Sequence, residues 1–289
     1  IESLHLDVIH VQQEFTVGIF GRVLAHTLHI PVVYTYHTLY EDYTHYVNFF
    51  DLESVEKISK KAVYSISRML CNSVSGIIAP SEKTREKLVG YGVKKPIYVI
   101  PTGLDLDSFR HENVAEAKRQ EIRERYGLDD STRVIIYLGR IAAEKSIDKV
   151  ISGVRYIQTS NCKVMIVGGG PSLDDLKKQA EKEGVSDRVI FTGAVPPEEV
   201  PAYYQISEAF VSASTSETQG MTFIEALASG LPLFACPDEV LEDLIEETVS
   251  GFYFTSPQEL AGKVDAYLAM GDAKRAAMKQ EAIARSARY

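Results

Sequence analysis

Cysteines and long apolar runs are both scarce in this sequence. The three cysteines, Cys71, Cys162 and Cys236, lie far apart and fit no metal-ligand spacing, which predicts reduced thiols in a cytoplasmic protein. No apolar stretch approaches the ~18 residues that would span a bilayer, and no signal-peptide pattern is present. The composition therefore predicts neither a disulfide scaffold nor a membrane-spanning protein, and we expect any contact with a membrane at its surface.

Basic residues are in the minority, since 31 lysines and arginines stand against 40 aspartates and glutamates. The net charge of −9 argues against nucleic acid as a partner, because such binding needs a basic surface. The first hundred residues are balanced in charge, so the remainder carries the whole excess. This difference predicts two domains with different partners. The sequence also lacks a GxGxxG dinucleotide motif, which ranks an NAD-dependent oxidoreductase last.

Short β-branched runs alternate with amphipathic stretches along the whole chain. This alternation predicts an α/β fold with parallel sheets, and the uniformly apolar strands suit sheets that are covered on both faces. The predicted strands are Asp7–Val11, Pro31–Tyr36, Gly76–Ala79, Ile97–Ile100, Arg133–Leu138, Lys163–Val167, Val189–Phe191, Ala209–Ser212 and Pro232–Ala235. The predicted helices include Glu82–Gly90, Ser146–Gln158, Leu173–Glu183 and Phe223–Ser229.

A domain boundary is predicted in IPTGLDLDSF, residues 100–109, where proline and glycine interrupt the pattern. A helix rich in alanine, glutamate and arginine is expected next, at 115–126. We expect a first domain at residues 1–105, a second at 106–271 and a C-terminal helix at 272–289. Because the sequence starts at Ile1 with residues typical of the middle of a fold, the first domain is expected to lack its first βα units.

Three segments follow predicted strands in the second half, at the strand ends where parallel sheets bind ligands. YLGRIAAEKS places Arg140 and Lys145 after one strand, VGGGP places three glycines after another, and SASTSETQGMTF places Glu217 and Gly220 after a third. Two cations and a helix start together are typical of a diphosphate site. Without the helix start, Arg140 and Lys145 would be interpreted as a solvated surface pair rather than as a diphosphate site.

Glu217 and Glu225 stand eight positions apart in SETQGMTFIEALASG, and the second lies inside a predicted helix. Eight residues of helix span roughly 12 Å. Retaining glycosidases hold their two carboxylates only about 5 Å apart. We therefore expect these carboxylates to hold the two ends of an extended ligand, with a diphosphate between them.

The order R-x4-K after a strand, then E-x7-E downstream, resembles the donor site of family-4 retaining glycosyltransferases. The similarity runs from about Asp7 to Ala269. It implies a GT-B fold, in which two Rossmann-like domains face a cleft, with the first domain incomplete here. It further implies a nucleotide-sugar donor such as UDP-glucose and neither metal nor cofactor, because cationic side chains and N–H groups take the leaving charge.

The resemblance also implies a role for each motif residue. Arg140 and Lys145 contact the diphosphate, Glu217 faces the transferred hexose, and Glu225 accepts hydrogen bonds from the ribose. The further substrate-binding positions that it implies, along the base, the phosphates and the sugar, are Gly139, Gly169, Gly193, Val195, Gln219, Gly220, Met221 and Thr222.

His37 lies at the carboxyl end of a predicted strand, in VVYTYHTLYEDYTHYVNFF. It is either a structural histidine or an active-site group beside the reacting hydroxyl. The patterns Y-H-T-x-Y-E-D-Y and S-E-T-Q-G resemble, more narrowly, the diacylglycerol glucosyltransferase branch of the family, which implies a lipid acceptor. Tyr40, Tyr43 and Tyr46 recur at every third position, and such a stripe fits internal packing as well as a lipid groove.

Residues 54–70, SVEKISKKAVYSISRML, predict an amphipathic helix. Its apolar face is expected to pack on the domain core. Its basic face would then point outward, either as an ordinary solvated surface or toward an anionic membrane. The apolar positions are Val55, Ile58, Ala62, Ile66 and Met69, and the basic positions are Lys57, Lys60, Lys61 and Arg68.

Together these features predict a retaining, metal-independent hexosyltransferase that moves a hexose, expected to be glucose, from UDP-glucose to the 3-hydroxyl of diacylglycerol. We expect it to be cytoplasmic and peripheral on the inner face of the cell membrane. Two alternatives stay open: a glycosyltransferase with a soluble or polysaccharide acceptor, and a nucleotide-sugar-binding fragment without turnover. No oligomeric state is predicted.

Overall fold

The computed structural model describes residues 5–41 and 53–289, and in the second range the side chains from residue 58 onward. The chain divides into two compact units. Unit 1 comprises Ile1–Thr102 and Ser216–Gln219, and unit 2 comprises Gly103–Thr215 and Gly220–Tyr289. Each unit contains one parallel sheet with helices between its strands, which confirms the α/β class predicted from the alternating pattern.

Unit 1 follows the predicted strand pattern closely. Its strands form one parallel sheet in chain order. Apolar side chains of these strands build the core, in which Tyr34 and Ile77 are completely buried. The described elements are β1 (Ile9–Val11), α1 (Val17–Leu28), β2 (Val32–Thr35), α2 (Glu53–Asn72), β3 (Gly76–Ala79), α3 (Glu82–Gly90) and β4 (Ile97–Val99).

Helix α2 turns a different face to the core from the one predicted. Three of its apolar positions, Ile58, Ile66 and Met69, are 67%, 46% and 63% exposed. The prediction that this stripe packs on the domain core is therefore wrong, and the stripe points outward. Of the predicted basic positions, Lys61 and Arg68 are exposed, Lys60 is partly buried, and the side chain of Lys57 lies outside the described residues.

Polar side chains with local partners explain the orientation of α2. Tyr64 stacks on Tyr91 with ring centroids 4.6 Å apart. The hydroxyl of Ser67 lies 2.9 Å from that of Tyr36, and Cys71 is completely buried. Because these groups find aromatic and hydrogen-bonding partners on the core side, the more apolar stripe is left on the surface.

Unit 2 has a larger parallel sheet. Its elements are α4 (Glu116–Arg125), β5 (Arg133–Leu138), α5 (Ile147–Val154), β6 (Cys162–Val167), α6 (Leu173–Lys182), β7 (Val189–Gly193), α7 (Val200–Gln205), β8 (Ala209–Ser212), α8 (Met221–Ala228), β9 (Leu233–Ala235), β10 (Gly251–Tyr253), α9 (Pro257–Leu268) and α10 (Asp272–Ser286). The strand order is β10-β9-β8-β5-β6-β7. Apolar clusters line both faces of this sheet, as expected of uniformly apolar strands.

The C-terminal helix supports the helix that follows β8. Helix α10 packs against α8. Its Ala282 is buried in the same apolar cluster as Phe223 and Leu227 of α8, and its Met278 is buried in the second apolar cluster of the unit. The structure thus makes the predicted C-terminal helix an integral part of unit 2. The elements for which the sequence analysis gave no bounds are α1, α7, α9 and β10.

Candidate functional site

The predicted donor motifs of unit 2 follow strands whose carboxyl ends lie at one edge of the sheet, because all the neighbouring strands are parallel. Strand β5 pairs with β6 on one side and with β8 on the other. The connections that leave these strands therefore run in opposite directions, and such a switch point opens a crevice at the carboxyl edge. Arg140 lies two residues after β5, and the loop that leads to α8 follows β8.

Close backbone packing explains two of the glycines after β6. A Cβ atom on Gly168 would lie 1.9 Å from the carbonyl oxygen of Gly139, and one on Gly170 would lie 2.1 Å from that of Ile141. The amide of Ile141 donates a 2.9 Å hydrogen bond to the carbonyl of Gly169. The glycines thus hold the loops after β5 and β6 together, while the predicted substrate contacts of Gly139 and Gly169 stay predictions.

The two predicted diphosphate cations both follow β5. The side chain of Arg140 is 51% exposed, and its Nη1 lies 3.6 Å from Oε1 of Glu144, whose side chain is almost completely buried. Lys145 ends the 3₁₀ turn Ala143–Lys145 and is partly buried. It therefore precedes α5 and does not belong to its first turn. The Glu144 carboxylate lies near Arg140 in the free protein, so it would compete with an incoming phosphate.

Helix α8 begins without a side-chain cap. Its N-cap, Gly220, has φ of 76° in the left-handed region and offers no side chain to cap the helix. The amides of Phe223 and Ile224 donate to the Gly220 carbonyl, and Met221 is 47% exposed. An uncapped helix start carries a partial positive charge and unsatisfied N–H groups, so it can bind an anion.

Glu225 lies one turn into α8 and has a partner that the sequence analysis missed. The hydroxyl of Tyr204, on α7, lies 3.1 Å from Oε2 of Glu225 and 3.2 Å from the carbonyl oxygen of Thr222. Burial raises the pKa of Glu225, and the Tyr204 hydrogen bond offsets part of that rise. No sequence motif identifies Tyr204 as a site residue, because an aromatic residue in a short apolar helix is typical of the core.

The loop that contains Glu217 belongs to unit 1. Glu217 itself is partly buried. Gln219 is 7% exposed, and its amide makes a double hydrogen bond with the Thr102 backbone, at 2.8 Å to the N–H and 2.9 Å to the carbonyl. This pairing occupies Oε1 and one N–H of the Gln219 side chain, while the predicted contact of Gln219 with the donor stays a prediction.

In unit 1, His37 lies just beyond the carboxyl end of β2, as predicted. Its Nε2 is 2.6 Å from Oε1 of Gln12, which follows β1. Nearby, Nε2 of His10 lies 2.7 Å from Oγ1 of Thr35. Burial lowers the pKa of His37, so the imidazole is neutral at neutral pH. His37 was selected because it follows the carboxyl end of a parallel strand, where ligands bind. Gln12 follows β1 in the same way, but the sequence analysis missed it.

The structure gives Tyr40 a partner inside unit 1. Its hydroxyl donates a 2.5 Å hydrogen bond to Glu14, a buried carboxylate that also accepts from Tyr34 at 2.5 Å. Tyr40 and Glu14 line one wall of a cavity of about 80 Å³ with apolar neighbours from α2. The Tyr40 hydroxyl thus has a partner inside unit 1, while its predicted place in an acceptor groove stays a prediction. Tyr43 and Tyr46 lie outside the described residues.

Neither a cluster of metal-ligating side chains nor a membrane-spanning helix is present among the described residues. No group of three or more histidine, cysteine, aspartate or glutamate side chains in residues 5–41 and 53–289 is arranged to hold a metal ion. Over the same residues, no helix is both long enough and apolar enough to cross a membrane.

Solved structures that share the fold of this chain, with two parallel-sheet α/β domains, are GT-B glycosyltransferases. The Anabaena protein HepE, solved in complex with UDP and glucose, superposes with a TM-score of 0.81 at 20% identity, over 99% of this chain and 75% of that one. A family model described as glycosyl transferases group 1 matches residues 118–285, and one described as Glycosyltransferase Family 4 matches residues 1–108. The chain belongs to the glycosyl transferases group 1 family.

Two relatives share a name and match most of this chain. The alpha-monoglucosyldiacylglycerol synthase of Streptococcus pneumoniae is 38% identical over 265 residues, or 91% of this chain. That of Acholeplasma laidlawii is 34% identical over 262 residues, or 90% of this chain. The chain spans 59% and 66% of the length of these relatives. These matches confirm the family resemblance carried by the R-x4-K, E-x7-E and Y-H-T-x-Y-E-D-Y patterns.

Replacing Glu225 by glutamine is expected to stabilise the ligand-free protein at neutral pH. Because burial raises the pKa of this carboxyl in the folded state, its ionised form destabilises the fold above that pKa. Below the ordinary glutamate pKa of about 4.3, Glu225 is protonated in both the folded and the unfolded protein. The stability that Glu225→Gln adds should therefore vanish there. Thermal melts of wild type and Glu225→Gln, taken from about pH 7 to about pH 4, measure the difference.

Glu181→Gln, at an exposed position of α6, is the matched control and should show no comparable gain. A Glu225→Gln gain that persists unchanged in acid would contradict the assignment of a buried, destabilising charge.

Proposed function

We propose that this protein is a retaining hexosyltransferase that moves glucose from UDP-glucose to the 3-hydroxyl of diacylglycerol. One observation carries the proposal. Arg140 and Lys145 follow β5, the uncapped α8 follows β8, and these two strands are neighbours at the switch point of the sheet. The similarity to two alpha-monoglucosyldiacylglycerol synthases supports the choice of glucose and of diacylglycerol.

The donor binds along the carboxyl edge of the unit 2 sheet. Arg140, Lys145 and the first amides of α8 hold its diphosphate, since cations and a helix start both favour phosphate oxygens. Glu225 accepts hydrogen bonds from the ribose hydroxyls, and Glu217 contacts the hexose. The backbone of Gly193–Val195 meets the base. The cations and amides neutralise the leaving diphosphate, so the proposed reaction requires no metal.

Transfer proceeds on one face of the sugar. The bond between the anomeric carbon and the leaving phosphate oxygen breaks, and the acceptor oxygen forms the new bond on the same side. The departing diphosphate takes the acceptor's proton and leaves as UDP. His37 is neutral, and with its Nε2 proton donated to Gln12, its Nδ1 lone pair orients the acceptor hydroxyl.

The outward apolar stripe of α2 gives the protein a surface for the membrane that contains its acceptor. Ile58, Ile66 and Met69 are exposed on one side of the helix, and Lys61 and Arg68 are exposed beside them. A helix with an apolar face flanked by cations is typical of the bilayer interface, where anionic lipids attract the charges. The protein would therefore bind peripherally, on the inner face of the cell membrane.

Incubation of the whole protein with UDP-glucose and vesicles that contain diacylglycerol tests the proposed reaction. Mass spectrometry should detect monoglucosyl diacylglycerol, and NMR should show the α configuration. Glu217→Gln is expected to lower turnover roughly 100-fold, because it removes charge at the reacting hexose, yet to leave free UDP binding nearly unchanged. Transfer only to soluble acceptors, or UDP binding without any transfer, would each rule out the proposed activity.

Serine in place of both Ile58 and Met69 should weaken binding to anionic vesicles roughly tenfold or more, because it removes apolar area that the bilayer would bury. Cosedimentation with phosphatidylglycerol vesicles measures this. Val89→Ser is the matched control, since Val89 is an exposed apolar residue on α3. An equal effect of Val89→Ser, or no loss in the double variant, would discredit the α2 surface.

A further inference from the structure

A buried tyrosine hydroxyl meets the carboxylate that is proposed to hold the ribose. Tyr204 is completely buried, and its ring packs against Phe109 and Phe210 with centroids 5.8 and 6.2 Å away. Its hydroxyl is within hydrogen-bond distance of Glu225 and of the Thr222 carbonyl. The ring is thus fixed by packing, while its single proton can be donated to only one acceptor at a time.

The carboxylate is the stronger of the two acceptors, because a hydrogen bond to an ionised group is shorter and stronger than one to a neutral carbonyl. Donation to Oε2 therefore fixes the orientation of the Glu225 carboxylate on the helix. In the described chain, Tyr204 is the one side chain that hydrogen-bonds this carboxylate. Oε1 of Glu225 and the second lone pair of Oε2 remain available to a ligand.

We propose that Tyr204 is a positioning residue that holds the Glu225 carboxylate ready to accept hydrogen bonds from both hydroxyls of a ribose, and so sets the preference for ribonucleotides over 2′-deoxyribonucleotides. This inference rests on the proposed donor site. A carboxylate that is held by Oε2 can use its remaining acceptor positions on two adjacent hydroxyls. Removal of one hydroxyl leaves part of that buried acceptor unsatisfied, which lowers affinity.

The test compares Tyr204→Phe with Tyr203→Phe in the whole protein. Tyr203 is the adjacent residue of α7 and is equally buried, but its hydroxyl lies near Tyr126 and Arg125, at 3.2 and 3.3 Å. Both substitutions keep the aromatic ring and remove one hydroxyl. Calorimetric titration with UDP and with 2′-deoxy-UDP gives the ratio of the two affinities for each protein.

Tyr204→Phe should weaken UDP binding roughly tenfold, in keeping with the loss of a hydrogen bond to a charged group, while binding of 2′-deoxy-UDP changes about twofold or less. The preference for the ribonucleotide therefore falls. Tyr203→Phe should leave both affinities and their ratio unchanged. A structural effect of the substitution would instead weaken both ligands equally, and that result overturns the proposal.

A double-variant measurement separates this inference from the proposed function. If Tyr204 acts through the carboxylate, Tyr204→Phe should add nothing to the loss of UDP affinity in Glu225→Ala, and additive losses would overturn the proposal. If Glu225→Ala alone leaves UDP affinity unchanged, the donor site itself is misassigned. If Glu225→Ala weakens UDP binding but Tyr204→Phe leaves the ratio of UDP to 2′-deoxy-UDP affinity unchanged, the donor site stands and only the positioning role of Tyr204 is ruled out.

Discussion

The parallel pairing of β5 with β6 on one side and β8 on the other is the constraint on which the rest of the site depends. It brings the carboxyl ends of all three strands to one edge, and at a switch point the connections part to leave a crevice. The loop with the cations and the start of α8 both belong to that edge. Gly168 and Gly170 permit the close backbone contact that holds two of these loops together.

Two features of this edge cost stability in the free protein. Helix α8 starts without a side-chain cap, and burial raises the pKa of Glu225. Packing offsets these costs, because Phe223, Ile224 and Leu227 are completely buried and α10 covers the same helix. Such a balance is expected where a site keeps charge and unsatisfied amides for a ligand and leaves stability to the surrounding core.

The strands other than β10 could be predicted because buried parallel strands are short, continuous apolar runs. The face that α2 turns to the core could not be predicted. Periodicity identifies an apolar stripe on the helix, but it does not show whether another element covers that stripe. Motif spacing placed Arg140, Lys145 and Glu225 in order along one edge. It could not find Tyr204 or the double hydrogen bond of Gln219 with Thr102, because both depend on contacts between residues distant in sequence.

The central claim is that this edge of unit 2 binds a nucleoside diphosphate through its two phosphates. Calorimetric titration of the whole protein with uridine, UMP and UDP tests it most directly, with Arg140→Ala/Lys145→Ala as the comparison. We predict a rise in affinity of roughly 100-fold from UMP to UDP, because the second phosphate gains charge-assisted hydrogen bonds, and loss of that rise in the double variant. Equal affinities for UMP and UDP, or a double variant that retains the rise, would contradict the account.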